Sequence, residues 1–199
     1  MLNGWQFERQ AWQAGHGCVA GVDEVGRGAL FGPVVAAAVV LNPAVRLRGL
    51  NDSKQLTPER REHFAAAIQE RALGWAVASV DAGCIDAINI LQASRRAMLE
   101  ALRALRPQPE MVLVDAVKLD WPGAQRAIVH GDALSDSIAA ASIVAKVYRD
   151  ALLRQWDVVF PVYRLASNKG YGSQEHRAAL ERYGPSPLHR RSFNWRLGA

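Results

Sequence analysis

Two adjacent carboxylates at the end of an apolar segment constrain this chain more than any other feature. Asp23 and Glu24 follow an apolar approach that begins at Val19, and the glycine-rich stretch Gly26–Gly28 comes directly after them. Ionised carboxylates are costly to take out of water unless something positive compensates them. Hard divalent cations such as Mg²⁺ prefer carboxylate oxygens, and glycines leave backbone N–H groups open to a ligand. The pattern therefore indicates metal-assisted chemistry on a phosphate.

Other interpretations of this glycine-rich stretch fit less well. A dinucleotide-binding fingerprint would need a third glycine where Phe31 stands, and the loop leads into a β-branched run with Pro33 instead of a helix. A phosphate-binding P-loop would need Gly-Lys-Ser or Gly-Lys-Thr, but Gly26 is followed by Arg27 and Gly28. A serine nucleophile has no Gly-x-Ser-x-Gly motif to support it.

Apolar patterns along the chain alternate between β-rich runs and helical stripes. Strands are predicted at Val19–Val25, Val34–Leu41, Trp75–Val80, Met111–Val114 and Ala127–Val129. Helices are predicted to Arg71 after an N-cap at Thr57, and at about Asn89–Leu105, Asp136–Gln155 and Gln174–Tyr183. The first two strands should form an antiparallel pair. Three strands followed by strand–helix alternation predict an α/β chain with a mixed sheet and helices on its faces.

Composition argues against several classes of protein. The chain is 50% hydrophobic and 22% charged, which is ordinary for a soluble globular protein. Its longest apolar run, Gly28–Leu41, is shorter than the roughly 20 residues that cross a bilayer. No secretory signal is recognisable, so a cytoplasmic protein is expected. Cys18 and Cys84 lie outside any CxxC or Cys/His cluster, so reduced, buried thiols are expected in preference to a zinc site.

The formal net charge of +5 is concentrated near the C-terminus. Asn168–Ala199 contains six basic and two acidic residues, which leaves the remainder close to neutral. A basic segment beside an acidic centre suits a polyanion that is also a metal ligand. On charge alone, a solvated basic surface without a partner is an equal alternative.

Four acidic residues stand at or near the ends of apolar strands: Asp23, Glu24, Asp115 and Asp132. Taken singly, each could be a turn-forming residue or a helix N-cap. Together, with few lysines nearby to neutralise them, they favour a shared cation. Because adjacent strand residues point to opposite faces, Asp23 and Glu24 reach one site only if the strand ends, bulges or twists there. Asp115 is predicted at the carboxyl end of a strand, where open α/β sheets place ligands.

Six motifs occur in order along the chain: Gly21-Val-Asp-Glu-Val-Gly-Arg-Gly28 with Gly32-Pro33, Leu50-Asn-Asp-Ser-Lys54, Val-Leu-Val-Asp115, Gly131-Asp132 with Ala-Ala-Ala-Ser-Ile-Val-Ala-Lys146, Asn168-Lys-Gly-Tyr171 and His189-Arg-Arg-Ser-Phe193. With these motifs the chain resembles bacterial ribonuclease HII over nearly its whole length. The resemblance implies an RNase H-like mixed β-sheet flanked by helices. It implies one catalytic domain over residues 1–199, with about 156–199 as a small helical, basic segment that binds substrate.

The resemblance also implies metal-dependent hydrolysis of RNA paired with DNA, including incision beside a single ribonucleotide in duplex DNA. By similarity, two Mg²⁺ or Mn²⁺ ions are held by Asp23, Glu24, Asp115 and Asp132. Two metals about 4 Å apart can generate the attacking hydroxide and stabilise the departing 3′ oxygen. The products would carry a 3′-hydroxyl and a 5′-phosphate.

The same resemblance suggests the substrate contacts. The sequence Gly26, Arg27, Gly28 resembles the family's sensor of the ribose 2′-OH, the group that distinguishes RNA from DNA. Tyr171 matches a tyrosine that packs on the sugar at the RNA–DNA junction. Contacts to phosphates, or support of the site, are expected from Lys54, Ser142, Lys146, Lys169, Arg190 and Arg191. For Lys146 a structural role is an equal alternative, and His189 is expected to meet phosphate.

Two departures from the family pattern flank the acids. Ala116 follows Asp115 where the family usually has glycine, and His130 replaces a frequent lysine. The expected partners are RNA/DNA hybrids and ribonucleotide-containing duplexes, bound by a monomer. No Gln-anchored motif for a sliding clamp is recognisable. The opposing hypothesis, a nucleic-acid-binding protein of the same fold without catalysis, is disfavoured by the four intact acids.

Overall fold

Five strands form one sheet in the computed structural model, which describes residues 4–45, 47, 49–50 and 56–195. The strands are β1 Val19–Val25, β2 Val34–Val40, β3 Gly74–Val80, β4 Met111–Asp115 and β5 Ala124–Ile128. Their spatial order is β3-β2-β1-β4-β5. β2 runs antiparallel to β1 and β3, whereas β4 runs parallel to β1 and β5. The predicted mixed sheet is therefore confirmed.

Helices cover both faces of this sheet. They are α1 Gln6–Gln13, α2 Pro58–Arg71, α3 Ala82–Ile88, α4 Ile90–Ala104, α5 Gly131–Leu134, α6 Asp136–Val159, α7 Leu165–Asn168 and α8 Gln174–Tyr183. Side-chain caps begin two of the long ones: Thr57 accepts a hydrogen bond from the Arg60 N–H at 3.4 Å, and Ser135 accepts one from the Ile138 N–H at 3.2 Å. Within the described residues, no helix combines the length and apolar character needed to cross a bilayer.

Alternation along β2 divides the core into two layers. The even-numbered side chains from Val34 to Val40 pack with α4, and the odd-numbered side chains from Val35 to Val39 pack with α6. All of them are buried, as expected for a strand covered on both faces. A Cβ at Gly21 would overlap the backbone of Ser137, so α6 lies directly on β1 only because residue 21 lacks a side chain. This close approach brings the middle of α6 to the end of β1.

The elements with strong periodicity lie where the sequence predicts them, and the exceptions have physical reasons. β5 covers Ala124–Ile128 instead of Ala127–Val129, because it is an exposed edge strand whose extent is set by pairing with β4 rather than by its own pattern. Helix α6 continues beyond the predicted Gln155 to Val159. Helix α1 is not predicted by the sequence pattern. A distant contact holds it in place, in which the buried Glu8 carboxylate accepts a hydrogen bond from Ser135 Oγ at 2.6 Å.

The C-terminal elements pack on the loop that follows β1. Leu30 and Phe31 of that loop are buried against Leu153, Tyr163 and the α8 residues Ala179 and Leu180. The C-terminal segment, which the sequence predicts to be basic and to bind substrate, therefore also contributes apolar side chains to a third cluster. It completes the surroundings of the Gly26–Gly28 loop.

Candidate active site

Two of the four predicted acids lie side by side at the carboxyl ends of parallel strands. The register of β1 and β4 pairs Val22 with Val114, so Asp23 and Asp115 are the next residues along. Residues paired in this way share a face of the sheet, and here it is the face covered by α6. The sequence placed Asp115 at a strand end, and the structure confirms that position.

Asp23 is the most buried of these acids, with 5% of its surface exposed. Its Oδ1 accepts a hydrogen bond from the Glu24 N–H at 2.7 Å, and Ser142 on α6 contributes a side-chain hydrogen bond. Burial raises the pKa of Asp23 well above its usual range, and the charges of Glu24 and Asp115 raise it further. A positive charge at this point would relieve both effects.

Glu24 opens on the same cavity although it is the neighbouring strand residue. β1 ends at Val25, and Gly26 follows with a φ of 90°, so both carboxylates stand close to the end of the strand and line one cavity. Arg27 Nη1 lies 3.1 Å from Glu24 Oε1. Burial raises the pKa of Glu24, while Arg27 lowers it. The strand end thus resolves the geometric conflict that the sequence posed.

Asp132 is brought in by a sharp turn before α5. His130 adopts a left-handed conformation with a φ of 56°, and the Gly131 N–H donates to Asp115 Oδ1 at 2.8 Å. A Cβ at Gly131 would come within 2.6 Å of the Ile138 side chain. The turn therefore ties Asp132, which is 8% exposed, to the end of β4. Ala116 is also left-handed, with a φ of 53°, a conformation that costs an L-residue about 1 kcal/mol.

The four carboxylates share one open cavity of about 450 Å³. Other residues that line it are Gly26, Arg27, Gly28, Arg61, Ser142, Lys146 and Tyr171. Among the described residues, no three Asp, Glu, His or Cys side chains are grouped closely enough to hold a metal ion by themselves. The donors are nevertheless hard oxygen ligands, which suit Mg²⁺ or Mn²⁺ ions that complete their coordination with water and phosphate.

Only some of the predicted substrate residues line this cavity. Gly26, Arg27, Gly28, Ser142 and Tyr171 line the cavity, and the ring of Tyr171 is partly exposed. The exposed Arg191 lies outside the cavity. Its backbone N–H donates a hydrogen bond to the Asp86 carboxylate at 2.9 Å.

Lys146 lines the cavity and pairs with Asp150 at 2.7 Å. Burial lowers the pKa of Lys146, and Asp150 opposes that change. Lys169 Nζ donates to the Ala166 carbonyl at 2.5 Å, away from the cavity lining. Lys54 lies outside the described residues.

Arg190 and His189 require correction, because both are buried. Arg190 is 0% exposed and donates to the carbonyl of Arg27 at 2.8 Å and to that of Gly32 at 3.0 Å. His189 is 3% exposed and contacts the rings of Phe31 and Tyr163. Neither side chain can meet a phosphate directly in this arrangement. The sequence pattern around them is basic, but packing turns both side chains inward.

Sequence reasoning also missed Arg149, a second buried arginine beneath the loop. Its guanidinium donates to the carbonyls of Phe31, Pro33 and Lys169 at 2.8–3.1 Å. A Cβ at Gly26 would overlap this side chain, which explains the glycine. The one signal for this role in the sequence is that a charged residue occurs among the positions of α6 that are buried. Arg61, which lines the cavity from α2, gave no sequence signal at all.

Comparison with known proteins decides the family. The ribonuclease HII family model matches residues 20–195. The chain belongs to the ribonuclease HII family. It is 59% identical over 187 residues to ribonuclease HII of Solibacter usitatus, covering 94% of this chain and 82% of that protein. Other relatives, which are 50–56% identical to this chain, carry the same name.

Solved structures agree with this assignment. The crystal structure of ribonuclease H2 from Pyrococcus horikoshii OT3 superposes with a TM-score of 0.74 at 29% identity, covering 89% of this chain and 94% of that one. The Archaeoglobus fulgidus structure of the PCNA:RNase HII complex also gives a TM-score of 0.74, at 27% identity, covering 87% of this chain and 92% of that one. The chain therefore has the RNase H-like fold. It is a metal-dependent endoribonuclease that acts on RNA/DNA hybrids.

Proposed function

We propose that this protein cleaves the RNA strand of hybrids and also incises beside single ribonucleotides embedded in duplex DNA. In this proposal two divalent ions are bound by Asp23, Glu24, Asp115 and Asp132, and the products carry 3′-hydroxyl and 5′-phosphate ends. The observation that carries it is the shared cavity, in which the four carboxylates lie beside the Tyr171 ring and the Gly26–Gly28 loop, whose Arg27 and Gly28 are exposed.

The four acids would have distinct tasks around the cations. Two bound ions supply a hydroxide at neutral pH and neutralise charge on the leaving oxygen. Asp23, buried beside Glu24 and Asp115, would help to hold the ions, and Ser142 contributes a side-chain hydrogen bond to it. Glu24 forms a salt bridge with Arg27, so Arg27 can balance the charge of Glu24 before a cation binds. Asp132 and Asp115 are held together through the Gly131 N–H.

Ribose selectivity would come from the other wall of the cavity. Gly28 has no side chain, and a Cβ built there would lie 4.0 Å from the Tyr171 ring. The absence of a side chain at Gly28 keeps the loop backbone open beside the aromatic ring. A 2′-OH can both donate and accept a hydrogen bond, so the loop N–H and C=O groups are suitable partners for it.

Phosphate contacts would come from basic residues around the same opening. Lys146 and Arg61 line the cavity, and the exposed Arg191 belongs to the segment of about 156–199 that we propose as the substrate-binding part of a single domain. Lys169 and Lys54 remain predicted phosphate contacts. We also expect the protein to bind these substrates as a monomer.

One incision assay tests the proposal against the alternative of an inactive binding protein. A labelled DNA duplex with one ribonucleotide is incubated with EDTA, Mg²⁺ or Mn²⁺, beside a long hybrid and an all-DNA duplex. We expect metal-dependent incision beside the ribonucleotide, with ends that a polymerase extends directly from the 3′-hydroxyl. Cleavage of the hybrid alone would refute the single-ribonucleotide activity. Binding without cleavage of any substrate would favour the inactive alternative.

A further inference from the structure

The loop that carries the proposed ribose sensor is held between two distant segments. Residues 29–32 bridge to Tyr171 on one side and to His189 on the other. The Leu30 N–H donates to the Gly170 carbonyl at 2.8 Å, and the Arg190 N–H donates to the Leu30 carbonyl at 2.8 Å. Both walls of the proposed ribose site are therefore joined to the dipeptide His189-Arg190.

Arg190 fixes the orientation of one particular peptide. Its Nη1 donates to the Arg27 carbonyl at 2.8 Å, and its Nε donates to the Gly32 carbonyl at 3.0 Å. The Arg27–Gly28 peptide is trans, so its C=O and N–H groups point in opposite directions. Since Arg190 is buried on the carbonyl side, the Gly28 N–H points away from it, toward the exposed side of the loop. Glycines flank Arg27, so without Arg190 little would prevent this peptide from rotating.

His189 reaches the other wall through a chain of hydrogen bonds. His189 Nδ1 accepts from the Ser186 N–H at 3.0 Å, so the proton of a neutral His189 lies on Nε2. That Nε2 lies 3.0 Å from Nε2 of His176, which must then be the acceptor. The His176 proton consequently lies on Nδ1, 2.9 Å from the Tyr171 carbonyl. Each bond in the chain has one donor and one acceptor only when both rings are neutral and in these tautomers.

Burial is consistent with that protonation state. His176 is 0% exposed and His189 is 3% exposed. Burial and the adjacent His176 lower the pKa of His189 to about 4, and burial lowers the pKa of His176 as well. The charged groups near the pair are Arg177, which contributes to the low pKa of His176, and the buried Arg190 next in sequence. Both imidazoles are therefore neutral at pH 7.

We propose that His189 and Arg190 are positioning residues for ribose recognition. Arg190 directs the Gly28 N–H into the site, and His189, through His176, holds the Tyr171 backbone opposite it. This inference rests on the proposed recognition of the 2′-OH. It assigns to two buried side chains a role in selectivity rather than in phosphate binding, and the role requires the arginine fork, because a lysine ammonium cannot reproduce two fixed bonds to separate carbonyls.

The test measures ribose preference as a ratio of affinities. Two duplexes of the same sequence, one all-DNA and one with a single ribonucleotide, are bound in EDTA so that neither is cleaved. We expect Arg190→Lys to reduce the preference of the wild type by about tenfold, the value of one hydrogen bond from a charged donor. Affinity for the all-DNA duplex should change by less than about twofold, because phosphate contacts remain. Arg182→Met, on an exposed arginine of α8, should leave the ratio unchanged.

A pair of His189 variants separates positioning from folding. Asn can place an acceptor near the position of Nδ1 but is too short to reach His176, whereas Gln can place its amide donor near the position of Nε2. We therefore expect His189→Asn to lose the ribose preference and His189→Gln to retain most of it. Thermal unfolding of each variant checks that the protein is folded during the binding measurement. Nitrogen-15 histidine NMR of the wild type should show Nδ1–H for His176 and Nε2–H for His189 at pH 7.

The outcomes separate this inference from the proposed function. A wild type that binds both duplexes equally well would overturn ribose recognition by this site altogether. A clear wild-type preference that folded Arg190→Lys and His189→Asn proteins retain would overturn only the positioning role. The opposite tautomers, or a charged imidazole at pH 7, would overturn the hydrogen-bond chain. Loss of preference in Arg190→Lys and His189→Asn, with recovery in His189→Gln, supports it.

Discussion

The carboxylate centre and the Gly26–Gly28 loop are neighbours built on opposite electrostatics. Asp23, Glu24 and Asp115 are like charges whose burial and mutual repulsion raise the pKa of Asp23. The loop instead lies on two buried arginines, Arg149 and Arg190, whose guanidiniums donate to backbone carbonyls. The acids therefore oppose folding until a cation binds, whereas the arginines, although burial lowers the pKa of each, have backbone carbonyls as hydrogen-bond partners before any ligand arrives. The proposed catalytic acids and the proposed ribose-binding loop are therefore held by different interactions.

The first and largest test of this contrast is Asp23→Asn. Because Asp23 lies at the centre of the acids, we expect incision to fall by roughly 10³-fold or more, the scale of losing a group that acts on the reacting centre. The metal-free variant should be no less stable than the wild type, since one buried like charge is removed. Steady-state incision and urea unfolding in EDTA check the two halves. An unfolded variant would make Asp23 structural.

Arg149→Met, unlike Asp23→Asn, should lower the stability of the protein. Three carbonyls lose a charged donor, and we expect the free energy of unfolding to fall by about 3 kcal/mol. Arg154→Met is the matched control on the same helix, because Arg154 forms only an exposed pair with Glu62 and should cost below about 1 kcal/mol. Equal, small losses in both variants would show that the buried arginine does not support the loop.

Tyr171→Ala probes selectivity alone. If the ring packs on the sugar, incision beside a lone ribonucleotide should fall by about tenfold, equivalent to about 1.4 kcal/mol, with a much smaller loss of duplex binding. The exposed Tyr183 provides the control substitution Tyr183→Ala. Incision and binding are compared on single-ribonucleotide and all-RNA/DNA substrates. Equal losses of both on both substrates would reduce Tyr171 to a packing residue.

Metal-free stability should fall with pH because of Asp23. A carboxyl group whose pKa is raised on folding contributes stability that is present below its usual pKa of 3.8 and is lost as pH rises through the folded-state pKa. We expect wild type in EDTA to lose stability relative to Asp23→Asn as the pH rises above 4. Mg²⁺ should restore that loss in the wild type only. Parallel curves for the two proteins in EDTA would contradict the raised pKa.

The smallest expected effect concerns the exposed Arg191. Arg191→Gln should weaken duplex binding a few-fold and make the salt dependence shallower by about 0.9 in its log–log slope, the value of one phosphate contact. Arg126→Gln on the edge strand is the control. A salt titration with an unchanged slope would make Arg191 a solvated surface residue. Deleting residues 186–199 is less informative, since it also removes the buried His189 and Arg190.

Local sequence patterns were sufficient for the acids and most of the sheet. Asp115 ends one apolar strand and Asp23 lies near the end of another, and the point where an apolar run gives way to a carboxylate is visible in the sequence. The β5 boundary was missed because an edge strand with exposed residues has no apolar pattern to read. Helix α1 was missed because Glu8 is satisfied by Ser135 and Ser137, far away in the chain. Contacts of that kind leave no local trace.

The sequence by itself determined the family, the mixed sheet and the four carboxylates, because motifs, periodicity and charge are local properties. Only the tertiary structure decided that Glu24 shares a cavity with Asp23, that Arg149 and Arg190 lie beneath the loop, and that His189 is buried. The physical reason is that a basic residue near the C-terminus has the same sequence signature in water or in the interior. Its environment depends on which carbonyls the rest of the chain brings within hydrogen-bonding distance.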